Sequence, residues 1–226
     1  MSLKQPFRIL GLALVVSCAG ASFARTLAAE APPSLTAVLR GVEKRYNRLS
    51  SMKAHFWQTV RQEPGLLRQE EGELYLRKPG RMRWEYTSPE PKLFVTDGKQ
   101  VSLYLPVENR VMESTIKETE DLKAPLAFLL GRLNFEEQFQ RLETSPQLVP
   151  LEKDNYVFKA YSNKLAERLE WVIFEIAPDY EIRRLVARER GGLETEFRFQ
   201  TMQTNPQLAD RLFRFTPPQG AEVVRE

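Results

Sequence analysis

Cysteine and histidine are almost missing from this chain of 226 residues, which has one of each, Cys18 and His55. A single cysteine cannot form an intramolecular disulfide, and zinc sites of the thiolate or imidazole type require several such ligands. A Ser-His-Asp triad would have to use His55. Because no second ligand candidate lies near His55 in the sequence, we expect it to be structural or at the surface, and we predict no metal ion and no cofactor.

Catalytic motifs are missing as well. The sequence has no glycine-rich phosphate loop, no G-x-S-x-G turn and no H-E-x-x-H pair. Acidic pairs such as Glu70-Glu71 and Glu136-Glu137 occur, but neighbours on a strand point to opposite faces, so we expect solvated surface. The sequence therefore predicts that the protein is not an enzyme. Within the enzyme class, the alternative is a hydrolase of lipid or ester substrates.

A large charge of either sign is also missing. The formal net charge is +3, from 33 basic and 30 acidic residues, and two of the basic residues, Lys4 and Arg8, lie near the N-terminus. Without residues 1–24 the balance is 31 − 30 = +1. A nearly neutral surface does not have the basic footprint of a nucleic-acid-binding protein, so we predict no nucleic-acid partner.

An apolar run lies near the N-terminus, over residues 9–16, after Lys4 and Arg8. This is the layout of a secretory signal peptide, and Ser22-Phe23-Ala24 fits a signal-peptidase site. The run is shorter than the roughly 20 residues that a transmembrane helix needs. We predict a signal peptide over residues 1–24 and a single domain over residues 25–226.

A second interpretation of the N-terminus stays open at this point. Val15-Val16-Ser17-Cys18 also resembles a bacterial lipobox. In that case Cys18 would be lipidated, would become the mature N-terminus and would anchor the protein to a membrane.

Strand-like alternation of apolar and polar residues dominates the rest of the chain. It is clearest from Glu73 to Leu105, where four short runs are separated by turn signals. In the second run Met82, Trp84 and Tyr86 share one face. Short connections favour an antiparallel meander, and a sheet of ten or eleven strands in one domain is expected to curl into a barrel or near-barrel. The predicted fold class is mainly β.

Two helices are predicted beside the sheet. Ser34 can cap a helix with an apolar stripe from Leu35 to Leu49 at spacings of three and four. The segment from Ala124 to Gly131 is apolar almost all round, so it should plug into the apolar face of the sheet.

The large apolar side chains have two interpretations. They either form the packed core of a barrel or line a cavity for an apolar ligand, and periodicity alone does not separate the two. These residues are Phe56, Trp57, Met82, Trp84, Tyr86, Phe128 and Trp171.

Several short motifs resemble, in order along the chain, the LolA family of periplasmic lipoprotein carriers. They are Ser51-Met52-Lys53-Ala54-His55-Phe56-Trp57-Gln58-Thr59-Val60, then Gly72-Glu73-Leu74-Tyr75-Leu76-Arg77-Lys78-Pro79 with Trp84 following, then Asp97-Gly98-Lys99, the apolar segment at 124–132, and Phe215-Thr216-Pro217-Pro218-Gln219-Gly220. Each motif is short, and it is their order along the chain that makes the resemblance specific.

The resemblance implies an incomplete antiparallel β-barrel of about eleven strands, covered by short α-helices that act as a lid. It also implies a monomeric periplasmic chaperone without a cofactor. Such carriers bind the acyl chains of triacylated lipoproteins, receive them from an inner-membrane lipoprotein-releasing ABC transporter and deliver them to the outer-membrane receptor LolB. Two alternatives keep the scaffold: a LolB-like receptor anchored through Cys18, and a lipid-sensing periplasmic regulator.

The resemblance and the alternation together imply candidate site residues. The acyl-binding face would consist of Phe56, Met82, Trp84, Tyr86, Val101, Leu103, Leu126, Phe128, Leu129 and Leu130. Lys78, with Arg77 before it, would latch the lid, at a position where the family commonly has arginine. Because an ammonium lacks the planar fork of a guanidinium, we expect a weaker latch here.

Overall fold

The computed structural model describes residues 33–115, 132–144, 148–162 and 167–225. The predicted signal peptide and the predicted apolar helix at 124–131 therefore lie outside the described residues. In the part of the chain that is described, no helix has both the length and the hydropathy needed to cross a membrane.

Within these described ranges, twelve strands form one sheet. They are β1 (Ser51–Gln62), β2 (Gly65–Arg77), β3 (Arg81–Ser88), β4 (Lys92–Asp97), β5 (Gln100–Leu105), β6 (Arg110–Thr115), β7 (Phe139–Thr144), β8 (Tyr156–Ser162), β9 (Leu169–Ile176), β10 (Ile182–Glu189), β11 (Leu193–Thr204) and β12 (Glu222–Arg225). The order across the sheet is β12-β6-β5-β4-β3-β2-β1-β11-β10-β9-β8-β7, so two meanders meet where β1 pairs with β11. The predicted mainly β, antiparallel fold is confirmed.

The twelfth strand, β12, was not predicted. It has four residues, follows Pro217, Pro218 and Gly220, and pairs with β6 in parallel. A run of four residues is too short for alternation to reveal, and its partner lies far away in the sequence. β12 covers one edge of the sheet, and β7 is the opposite edge.

The sheet curves strongly around a shared core. Trp84 in β3 and Phe197 in β11 are separated by β2 and β1, a distance of about 14 Å along a flat sheet with strands about 4.8 Å apart. Their ring centroids are nevertheless 5.4 Å apart. The sheet therefore closes on itself as an incomplete barrel, and its concave face carries the core.

Helix α1 (Leu35–Asn47) lies against this concave face. As predicted, Ser34 caps it, since its hydroxyl accepts a hydrogen bond of 3.3 Å from the amide of Ala37. Val42 and Tyr46, on the predicted stripe, are buried, and the Tyr46 hydroxyl accepts a 2.9 Å hydrogen bond from the amide of Ile182. A second helix, α2 (Phe135–Gln138), is a single turn that leads directly into β7.

An ion pair that was not predicted is buried on the convex face. Glu175 and Arg184 lie 2.6 Å apart, and Glu175 is completely buried. The same carboxylate accepts hydrogen bonds from the amide of Leu151 and the side chain of Asn155. The chain segment before β8 thus packs over the outside of β9 and β10.

Gly72 allows two aromatic side chains to meet on the concave face. It pairs with Phe56 on one side and with Tyr86 on the other, and these two rings make an edge contact with centroids 5.0 Å apart. A Cβ atom at Gly72 would lie 1.9 Å from the carbonyl oxygen of Glu85. Any side chain at this position would therefore force β2 and β3 apart.

We predict that Gly72→Ala lowers the free energy of unfolding by about 2 kcal/mol or more, because the new methyl group clashes with backbone rather than with a flexible side chain. Urea unfolding followed by tryptophan fluorescence measures the change. Gly191→Ala is the control, since a Cβ atom there meets nothing within 4 Å. Equal stability of the two variants would contradict the explanation.

Candidate functional site

Six of the predicted acyl-binding residues lie together on the concave face, and we call this set the apolar wall. It consists of Phe56, Met82, Trp84, Tyr86, Val101 and Leu103, on strands β1, β3 and β5. The first five are buried and Leu103 is half-buried, packed against the same core. The rings of Phe56 and Trp84 meet edge to face with centroids 4.5 Å apart. The wall is therefore a continuous apolar surface with aromatic side chains at its centre.

The other four predicted residues, Leu126, Phe128, Leu129 and Leu130, lie outside the described residues. The described chain stops at Thr115, where β6 ends, and resumes at 132. The structure thus places the wall but not its predicted cover.

Lys78 contacts helix α1. Its ammonium donates a 2.8 Å hydrogen bond to the carbonyl oxygen of Tyr46, in the last turn of the helix. The last four carbonyls of a helix have no partner within the helix, and they form the negative end of its dipole. A cation is therefore favoured at this point. Partial burial lowers the pKa of the Lys78 ammonium from its usual value.

Arg77 faces the convex side and holds a different segment. Its guanidinium donates to the carbonyl of Leu208 at 2.9 Å and to the carboxylate of Asp210 at 2.6 Å. It also lies over the ring of Phe213, 5.0 Å from the centroid. Asp210 and Phe213 bound a short 3₁₀ helix, so Arg77 fixes the C-terminal segment to the outside of the sheet. Of the two predicted latch residues, Lys78 is the one that contacts α1.

Two residues of α1 that were not predicted as site residues bind the backbone at the start of α2. Asn47 exchanges two 2.8 Å hydrogen bonds with the backbone of Leu133, one with its carbonyl and one with its amide. Glu43 accepts a 2.8 Å hydrogen bond from the amide of Phe135. Residues four apart lie on the same face of a helix. That spacing is visible in the sequence, but it does not reveal a partner some 90 residues later.

These contacts give the sheet two different ends. At the α1 end, β1 begins, β2 ends and β10 begins, and this end holds Lys78 and α1. At the opposite end, which we call the hairpin end, β1 turns into β2 and β3 turns into β4. The apolar wall lies between the two ends.

A row of polar side chains crosses the concave face toward the hairpin end. This polar row consists of Gln58 in β1, Glu70 in β2, Tyr86 in β3 and Lys92 in β4. The Tyr86 hydroxyl donates a 2.9 Å hydrogen bond to Gln58, and Lys92 forms an ion pair with Glu70. The Lys92 ammonium also lies over the Tyr86 ring, 4.2 Å from its centroid. Burial raises the pKa of the Tyr86 hydroxyl. Tyr86 had been assigned to the wall. The expectation that Glu70 is solvated is wrong, because its side chain is buried on the concave face beside Lys92.

A groove of about 480 Å³ crosses β1, β2, β3 and β11 and shares Gln58 and Glu70 with the polar row. It is lined by Trp57, Gln58, Thr59, Arg61, Gln69, Glu70, Glu71, Ser88, Arg198 and Gln200. Most of these residues occupy outward-facing positions and are polar, so the groove is distinct from the apolar wall. His55 lies beside Trp57 and contacts Glu73 at 3.0 Å. Nowhere in the described ranges do three or more His, Cys, Asp or Glu side chains form a group that could hold a metal ion.

Solved structures and sequence relatives place this architecture. A solved structure from Thermus thermophilus, described as an uncharacterized conserved protein, superposes with a TM-score of 0.53 at 19% sequence identity. The superposition covers 86% of this chain and 100% of the Thermus chain. The outer-membrane lipoprotein carrier protein of Methylobacillus flagellatus is 32% identical over 178 residues, which cover 78% of this chain and 83% of the relative. That of Nitrosomonas europaea is 25% identical over 197 residues, 86% of this chain and 92% of the relative.

The sequence profile described as "Outer membrane lipoprotein carrier protein LolA" matches residues 47–216. The match includes strands β1 to β11, and it contains the apolar wall, Lys78 and the polar row. The chain therefore belongs to the LolA family of outer membrane lipoprotein carrier proteins.

Proposed function

We propose that this protein is a periplasmic carrier that shields the acyl chains of triacylated lipoproteins on their way to the outer membrane. It would accept them from an inner-membrane lipoprotein-releasing ABC transporter and pass them to an outer-membrane receptor of the LolB type. The observation that carries the proposal is the continuous apolar wall on the concave face of a LolA-family chain. Relatives that bear the name of outer-membrane lipoprotein carriers support it.

The physical need for such a wall follows from the hydrophobic effect. At ~0.8 kcal/mol per buried CH₂ group, a chain of roughly sixteen carbons resists transfer into water by on the order of 12 kcal/mol. A carrier must offer comparable apolar contact and still release its cargo. Phe56 and Trp84 supply area, and Met82 supplies an unbranched side chain that adapts to different guests. In the structure these side chains pack against one another, so a ligand has to part them.

Replacing a half-buried residue of the wall by a charged one should abolish cargo binding without unfolding the protein. We expect Leu103→Asp to reduce the amount of co-purified acylated lipoprotein by about tenfold or more, because a carboxylate on the wall must be desolvated against an acyl chain. Native mass spectrometry of protein co-expressed with a lipoprotein measures this.

Gln100→Asp is the matched control, since Gln100 is exposed on the outward side of the same strand. Circular dichroism checks that both variants are folded. Equal cargo recovery from the two variants would argue against acyl binding at the wall.

The contact between Lys78 and α1 should control release. A hydrogen bond from a charged donor contributes about 1.5–3 kcal/mol, so its loss in Lys78→Leu weakens the closed arrangement of α1 by about tenfold or more. We expect this variant to accept cargo but to transfer it to the receptor more slowly, because closure of the empty wall no longer helps to expel the chains. A reconstituted transfer assay measures the rate.

Lys78→Arg is the control for the latch, because a guanidinium keeps a cation and adds donors at the end of the helix. We expect this variant to transfer cargo at least as fast as the natural protein. Normal transfer by Lys78→Leu would rule out a latch at this position.

We further propose that residues 1–24 are removed on export and that residues 25–226 form the mature periplasmic carrier. Mass spectrometry of the mature N-terminus distinguishes this from the anchored alternative. An N-terminus at Arg25 is the expected result. A lipidated Cys18 would instead favour a LolB-like receptor or a membrane-attached lipid sensor on the same scaffold.

A further inference from the structure

We propose that the polar row binds the ester and amide groups that join the acyl chains of a cargo lipid to its polypeptide. The cargo would then lie with its chains on the apolar wall and its linkage group on Gln58, Glu70, Tyr86 and Lys92. This inference rests on the proposed function and adds to it an orientation of the ligand and a means of telling an acylated head group from a bare alkyl chain.

The row continues the wall directly. On each strand, the member of the row is the next concave-face residue toward the hairpin end. Gln58 lies two residues beyond Phe56 in β1, Glu70 two before Gly72 in β2, and Tyr86 two beyond Trp84 in β3. Gln58 pairs with Glu70, and Tyr86 pairs with Lys92. A ligand that covers the wall therefore reaches the row with its next few atoms.

One carboxylate oxygen of Glu70 can accept a further hydrogen bond. Glu70 is only 7% exposed, and its Oε1 is taken by the ion pair with Lys92. Its Oε2 lies 3.1 Å from Arg68 Nε, a charge contact without hydrogen-bond alignment, and accepts no hydrogen bond from the described residues. A buried carboxylate oxygen normally accepts one. An amide N–H of a bound ligand would supply it.

The other members of the row offer complementary groups. Lys92 carries an ammonium with several donors, and Tyr86 carries a hydroxyl at the boundary between the aromatic wall and the row. Ester and amide carbonyls accept hydrogen bonds from such donors, and charge-assisted bonds are the stronger kind. A bare alkyl chain has no group to satisfy them.

Access also favours this end of the sheet. The polypeptide of a lipoprotein must stay in solvent while its chains are buried, so its linkage group has to lie where the concave face opens. Helix α1 occupies the other end through Lys78 and Tyr46. At the hairpin end, the Lys92 side chain is 23% exposed and Arg68 is exposed, so the row leads from the buried Gln58 out to water.

The test compares two probes on the mature protein. One is a synthetic tripalmitoyl-glyceryl-cysteinyl peptide, which carries two ester groups and one N-acyl amide, and the other is a fluorescent alkyl probe of equal chain length without ester or amide groups. We expect Lys92→Met and Glu70→Gln to weaken binding of the lipopeptide by about tenfold each and to leave binding of the alkyl probe within about twofold. Lys92 is partly exposed, so its variant keeps the proposal testable even if Glu70→Gln lowers stability.

Glu71→Gln is the control, because Glu71 is the next acidic residue of β2 and lies on the convex face. It should change neither affinity. If the row variants weaken both probes equally, or neither, the polar row does not read the head group, and the carrier proposal stands alone. If the natural protein binds neither probe, the proposed function itself fails and this inference fails with it.

Discussion

Burial of one face of a curved sheet is the constraint on which the rest of this structure depends. Strand side chains alternate between faces, so apolar residues at every second position of β1 to β5, such as Phe56, Trp84 and Leu103, join the same concave surface. Curvature then brings Trp84 and Phe197 into contact across two intervening strands. α1 contributes Val42 and Tyr46 to that core, and its last turn becomes the place where Lys78 binds.

The two ends of the concave face differ in chemistry, and this difference gives the proposed carrier a direction. At the α1 end, hydrogen bonds that involve Lys78 and Asn47 join the helix to the sheet and to the backbone of Leu133. At the hairpin end, the apolar wall stops at the polar row. In the proposed complex an acyl chain with a polar head would fit such a surface in only one orientation, because the reverse would place hydrocarbon against a buried carboxylate.

Local signals accounted for most of the strands. Turn residues and alternation gave the four runs between Glu73 and Leu105 and the limits of α1 to within a few residues, because each signal lies within one element. Failures came where the partner was remote. β12 was missed because four residues have no readable period. The buried pair of Glu175 and Arg184 was missed because nothing in the sequence of the segment before β8 indicates that it packs over this pair.

The candidate site divides in the same way. Alternation placed Met82, Trp84 and Tyr86 on one face, and the family resemblance pointed to Lys78. Neither could tell that Arg77 turns outward to the C-terminal segment, or that Gln58, Glu70 and Lys92 meet Tyr86 in one row. By itself, the sequence determined which residues alternate, where the chain turns and which family the chain resembles, since these properties depend on short motifs of neighbouring residues. Only the tertiary structure decided the register of four adjacent strands, and that register is what turns scattered polar residues into a site.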